Sequence, residues 1–66
     1  PEKAWETIQK AVAQVRDDPT SWEHYADIAS DLDKREKARE GYKRALELDP
    51  DNPGAIRKKL KSVQER

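Results

Sequence analysis

The chain has no cysteine, no methionine and no phenylalanine, and its only glycines are Gly41 and Gly54. Without cysteine there are no disulfides to staple a small domain and no thiolates to hold a metal. Two isolated glycines leave no loop that could cradle a phosphate. No apolar run exceeds a few residues, so the sequence predicts neither a membrane span nor a signal peptide and points to the cytoplasm or another soluble compartment. Net charge is missing as well. Fourteen Lys and Arg balance fourteen Asp and Glu, so no global field draws the chain to nucleic acid or anionic lipid. Apolar material is the scarcest resource: hydrophobic residues make up 33% of the chain, against roughly 45–50% in ordinary globular domains. A folded chain of 66 residues buries only about 60% of what its unfolded form exposes, so its stability is marginal. A start at Pro1 without an initiator methionine suggests processing, an excised segment or an engineered building block. Together these shortages argue against an enzyme.

What is present in abundance is charge, at 42% of residues. High polarity with few aromatics can mean disorder, but that outcome usually needs high net charge too, and here the net charge is zero. Ala, Leu, Glu, Lys, Arg and Gln dominate, all good helix formers, and no stretch alternates with period two. The sequence therefore predicts an all-α fold.

Its punctuation predicts four short helices. The first runs from about Glu2 to Arg16, with Ala4, Ile8, Ala11, Val12 and Val15 on one stripe of 3.6-residue period. Asp17-Asp18-Pro19 ends it. The residue before a proline leaves the helical region, while Pro at a first helical position costs nothing, so Asp18 reads as N-cap of a second helix from about Pro19 to Leu32. Trp22, Tyr25, Ala26, Ile28, Ala29 and Leu32 line its buried side. Asp33, with Glu36 three residues on, reads as the capping box of a third helix. Ala38, Tyr42, Ala45, Leu46 and Leu48 form that helix's stripe, and Asp49-Pro50 stops it. Asn52-Pro53 repeats the cap-plus-proline device and opens a fourth helix with Ile56, Leu60 and Val63 inward.

The chain also repeats itself. A shift of 34 residues aligns Glu2-Lys3-Ala4 and Glu6 with Glu36-Lys37-Ala38 and Glu40, Ala11 with Ala45, Asp17 with Asp51, and Pro19 with Pro53. That is seven identities in 32 overlapping positions, where residue frequencies alone give roughly two. Few architectures share a period of 34 with one helix–turn–helix per period.

These residues resemble the tetratricopeptide repeat. With Pro19 as the first position of a unit, Trp22, Ala26, Ala38, Tyr42, Ala45 and Pro50 match the family's Trp, small residue, Ala, aromatic, Ala and Pro. The resemblance implies antiparallel helix–turn–helix units stacked as a segment of right-handed α-solenoid. Residues 1–18 would be the second helix of a preceding unit, 19–52 one complete repeat, and 53–66 a following first helix or a solvating cap. There are departures. Tyr25 stands at a usual Leu and Ala29 at a usual large aromatic, an exchange of bulk across one turn; Asp33 replaces a turn glycine, Arg35 an aromatic, and Arg16 a terminal Pro. Ala26, Ala38 and Ala45 suit a close helix crossing into which Trp22 and Tyr42 fit.

Catalytic chemistry finds no support. His24 has only Asp27 and Asp31 as candidate co-ligands and no second nitrogen or sulfur, so it reads as a surface histidine and no metal or cofactor is expected. Ser21, Ser30 and Ser62 lack a nearby base, and the carboxylates have cationic neighbours instead of an apolar pocket. Charge layout is more informative. Asp18 to Asp33 holds five acids and no Lys or Arg, whereas Arg57 to Arg66 holds five basic residues and the single acid Glu65. The basic residues of the fourth helix, Arg57, Lys58, Lys59, Lys61 and Arg66, wrap around it without interleaved aromatics, which does not describe a nucleic-acid surface.

Glu23, Asp27 and Asp31 share one face of the second helix, and Arg57 and Lys61 occupy matching repeat positions on the fourth. In the family these positions face the concave groove, so the resemblance implies a candidate peptide-binding face. Glu23 and Asp27 would repel the terminal carboxylate that some members clamp. The simpler reading pairs Glu23 and Asp27 with Arg57 and Lys61 as exposed ion pairs worth about 0.2–1 kcal/mol each.

Two functions follow from this reading. One is a non-catalytic scaffold that self-associates through its unpaired terminal helices, with Trp5, Ile8 and Val12 at one end meeting Ile56, Leu60 and Val63 at the other; the expected state is a homo-oligomer. Trp5 carries this expectation, because it lies one position off its helix's stripe and its repeat mate is the solvated Arg39. The alternative is an adaptor that holds a peptide or protein segment on the concave face.

Overall fold

The computed structural model describes residues 2–65; Arg66, counted above among the basic residues, lies outside them. Four helices of thirteen residues each follow one another: α1 (Glu2–Gln14), α2 (Pro19–Asp31), α3 (Arg35–Glu47) and α4 (Pro53–Glu65). There is no strand among the described residues, and the all-α class holds.

Local chemistry explains most of the boundaries. The Asp18 carboxylate accepts from the Thr20 amide at 3.1 Å and from the Ser21 hydroxyl at 2.9 Å, the N-cap expected of it, worth about 1 kcal/mol. The Trp22 indole donates to the Arg16 carbonyl at 2.8 Å, tying the turn back onto α2. At the start of α4 the Asn52 carbonyl accepts from the Ile56 amide at 3.3 Å, the first helical bond. α1 is assigned only to Gln14, although the Val15 amide still bonds to Ala11.

The capping box at Asp33 does not form. Lys34 precedes the first turn of α3 and offers no side-chain cap, while Asp33 adopts a left-handed φ of 59°. Asp33 belongs to the end of α2 instead. Its amide bonds to the Ser30 carbonyl at 3.0 Å and the Lys34 amide to the Ala29 carbonyl at 2.8 Å. These are the two bonds of a Schellman motif, with Asp at the position usually held by glycine. Asp49 has the same φ of 59° after α3, but Pro50 follows it and has no N–H for the longer bond.

Each helix packs on the next in sequence, most extensively α2 on α3. The result is a slab of 27 × 25 × 14 Å. Its core is built on small residues: Ala26, Ala29, Ala38 and Ala45 are fully buried, beside Ile56. The tightest crossing is at Gly41. A Cβ there would lie 2.7 Å from Tyr25 Cδ1, 2.8 Å from Ala26 Cβ and 3.1 Å from the Trp22 carbonyl oxygen, so only glycine lets α3 come this close to α2.

Trp5 is not exposed. It is 8% accessible and packs on Tyr25 with ring centroids 4.8 Å apart, and Tyr25 in turn meets Trp22 edge-on at 5.2 Å. The Lys34 ammonium sits 5.7 Å from the Trp5 ring centroid, a cation–π contact. The stripe of α1 alone places Trp5 toward water; Tyr25 on α2 supplies the aromatic surface that covers it.

Candidate helix-docking site

Three surfaces compete for a function, and each can be read from the side chains that build it. The first is the charged face shared by α2 and α4. Lys59 reaches across from α4 to Glu23 at 2.9 Å and to Asp27 at 3.3 Å. The Tyr42 hydroxyl of α3 donates to the other Asp27 oxygen. The cation bridging the helices is therefore Lys59, not Arg57 or Lys61, which are exposed. Helical phase decides this. Lys59 lies three residues after Ile56 and four before Val63, beside the buried stripe, whereas Arg57 and Lys61 fall on the far side. The hydrogen bond from Glu23 raises the Lys59 pKa above its ordinary value, partial burial opposes this, and Asp27 adds to the rise. Of the five residues expected on a concave face, Glu23 and Asp27 are thus engaged within the chain, while Asp31, Arg57 and Lys61 stand in solvent.

The second surface is the set of residues expected to join copies. Trp5, Val12, Ile56 and Val63 belong to the chain's own core, and Ile8 and Leu60 are half-buried against it. With so little apolar material, the helices have spent these side chains on one another. Val15, at 49% accessible, is the exposed large hydrophobic residue among those described.

The third surface emerges when the two halves of the repeat are superposed by their 34-residue shift. Ala38, Gly41 and Tyr42 of α3 are buried beneath α2. Their equivalents on α1 are Ala4, Thr7 and Ile8; the first two are exposed and the third half-buried. They form one wall of an open depression of about 350 Å³, whose other wall is His24, Asp27 and Ile28 of α2. Among the described residues no helix lies over this side of α1 as α2 lies over α3. The sequence contained the signal, since the shift is visible there, but knowing which side of α3 its neighbour covers required the fold.

A smaller depression of about 210 Å³ lies between the start of α3 and the end of α4, lined by Arg35, Glu36, Arg39, Val63 and Gln64. Arg39 is the repeat mate of Trp5, so this hollow marks the place that an indole fills between α1 and α2.

No group of three or more His, Cys, Asp or Glu that could hold a metal occurs among the described residues. His24 is exposed on the rim of the α1/α2 depression. The Tyr25 pKa is raised by burial and secondarily by the charge of Glu40. No described helix is long and apolar enough to cross a membrane. Compared with protein-family models, with curated proteins and with solved structures, the chain gives no match.

Proposed function

We propose that the chain is a non-catalytic helical-repeat scaffold of the tetratricopeptide type, whose work is to accept a further helix on the open side of α1. One observation carries this reading: Ala4, Thr7 and Ile8 are the repeat equivalents of Ala38, Gly41 and Tyr42, yet only the second set is covered by a helix. In stacked repeats each unit buries its face against its neighbours, and the exposed face of an end unit is where the stack continues. The depression between α1 and α2 has an apolar lining of Ala4, Ile8 and Ile28.

The test is to supply that neighbour covalently. A second copy of residues 19–34 placed ahead of Pro1 puts an α2-type helix before α1 in the register of the repeat. Covering the face should raise the melting temperature of the extended chain, by about 4–8 °C for each kcal/mol gained in a domain of this size. Thr7→Arg, which fills the depression from an exposed position, should abolish the gain while leaving the original chain's melting unchanged. An extended chain that melts with the original, its added helix frayed in hydrogen exchange, would remove the reading.

A further inference from the structure

Resting on that reading, we propose that the helix received by the α1/α2 depression is α4 of a second copy of this chain, so that copies join head to tail. Two lines of evidence choose α4. The first is register. The repeat shift maps α1 onto α3 and α4 onto α2, so α4 docked on the α1 of another copy reproduces the pairing that α2 and α3 make within one. Leu60, half-buried on α4, is the equivalent of Ala26, which with Tyr25 stands closest to Gly41 at the internal crossing.

The second is charge. The receiving end offers an acid: Asp31 stands exposed one turn beyond Asp27, along a helix that holds no Lys or Arg, while Asp27 itself is held by Lys59 and Tyr42 of its own chain. The outer face of α4 presents Arg57 and Lys61, both exposed, with Gln64 about one turn beyond Lys61 and no acid until Glu65. Within the chain Glu23 and Asp27 of α2 grip a cation on α4; between copies Arg57 and Lys61, their repeat equivalents, face the exposed Asp31 of α2.

The contact is weak by construction. Thr7 puts a side chain where Gly41 has none, and Leu60 is larger than Ala26, so the docked helix stands further off than α2 does from α3. Ile8 in place of Tyr42 returns part of that volume. A single helix laid in an open depression falls below the roughly 1,200 Å² of a stable interface, so association belongs to high concentration and low salt, where exposed charges are least screened. The contact is heterologous, using different surfaces on the two copies, and it grows as an open chain or closes as a ring.

Sedimentation of the full chain at low salt, from micromolar to millimolar, should show mass rising with concentration and falling again as salt is added. Two variants at exposed positions then separate the surfaces, each first checked for unchanged helical circular dichroism: Thr7→Arg blocks the depression, and the double variant Arg57→Glu/Lys61→Glu reverses the face of α4. Each alone should stay monomeric, and their mixture should form a one-to-one dimer that grows no further, since it holds one intact depression and one intact α4. If the α4 variant associates by itself as well as the parent does, the occupant is not α4. If the parent stays monomeric to millimolar concentration, the head-to-tail contact does not exist, and the melting of the extended chain decides separately whether the depression seats a helix at all.

Discussion

The α1/α2 pair and the α3/α4 pair are related by the same 34-residue shift, yet they are held together by different chemistry. Where α1 meets α2, Trp5 lies on Tyr25, and Trp22 closes a three-ring cluster. At the equivalent positions α3 and α4 carry Arg39 and Lys59. Arg39 stays in water beside a hollow, and Lys59 turns away from α3 to reach the acids of α2. A repeat thus specifies where helices cross and leaves open what fills the crossing. The first pair is closed by burying rings; the second is closed by a charge that also reaches a non-adjacent helix.

The sharpest way to break the comparison is at Trp5 and Arg39. Trp5→Ala should cost about 3–5 kcal/mol, as removal of a buried indole usually does, which is all the stability a single small core supplies. The variant should lose cooperative thermal unfolding by circular dichroism. Arg39→Ala, at the repeat-equivalent but exposed position, should change stability by no more than about 0.5 kcal/mol. Equal effects would mean the two crossings do not differ as described.

A smaller effect separates Gly41 from Thr7. Gly41→Ala gains up to about 1 kcal/mol of helix propensity, but its methyl meets Tyr25 and Ala26 at under 3 Å. Overpacking of that kind costs about 1–3 kcal/mol. The buried tyrosine ring and the fixed Ala26 methyl cannot swing aside as a flexible surface side chain would, so the net change is destabilising. Thr7→Ala, with no helix above it, should be neutral or gain a few tenths of a kcal/mol from propensity. Urea unfolding of both variants measures the difference.

The smallest effect is pH dependence, and it compares two equivalent positions directly. Tyr25 and Lys59 both have raised pKa values for opposite reasons: burial disfavours the tyrosinate, and hydrogen bonding to Glu23 favours the ammonium. In both cases the folded state holds its proton more tightly than the unfolded one. The stability each contributes is therefore complete below the ordinary values of 10.0 and 10.5 and is lost as pH rises through the higher folded values. Melting temperature should fall above about pH 10. Tyr25→Phe should remove most of the slope. Lys59→Met should remove less, because the Lys59 side chain is 41% accessible and its ion pairs are screened.

The fold was legible where a residue type has one use. Asp18-Pro19 and Asn52-Pro53 open helices in the structure as the sequence predicts, since proline cannot continue one helix but can begin another. Asp33 was misread because aspartate serves two ends of a helix: it can cap the next one or accept the left-handed turn that finishes the last, and Glu36 three residues on favoured the wrong choice. Trp5 was misread because a stripe describes a helix by itself, while burial depends on what the neighbouring helix offers, here Tyr25. The bridge through Lys59 was missed for a related reason. Matching repeat positions linked Glu23 and Asp27 to Arg57 and Lys61, but charges on adjacent helices meet where the two surfaces converge, one face away from where repeat mates stand. The open side of α1 was implied by the repeat and became visible only once α2 was seen covering α3.

The neighbour-to-neighbour packing has a consequence in time. Every extensive helix contact joins elements adjacent in the chain, so each forms by closing a short connection, and the entropy of doing so is small. Chains dominated by such local contacts fold in microseconds to milliseconds. A protein with so modest a core opens often, and it is the brevity of each opening, more than its rarity, that keeps Trp5 and Ile56 out of the reach of other unfolded chains.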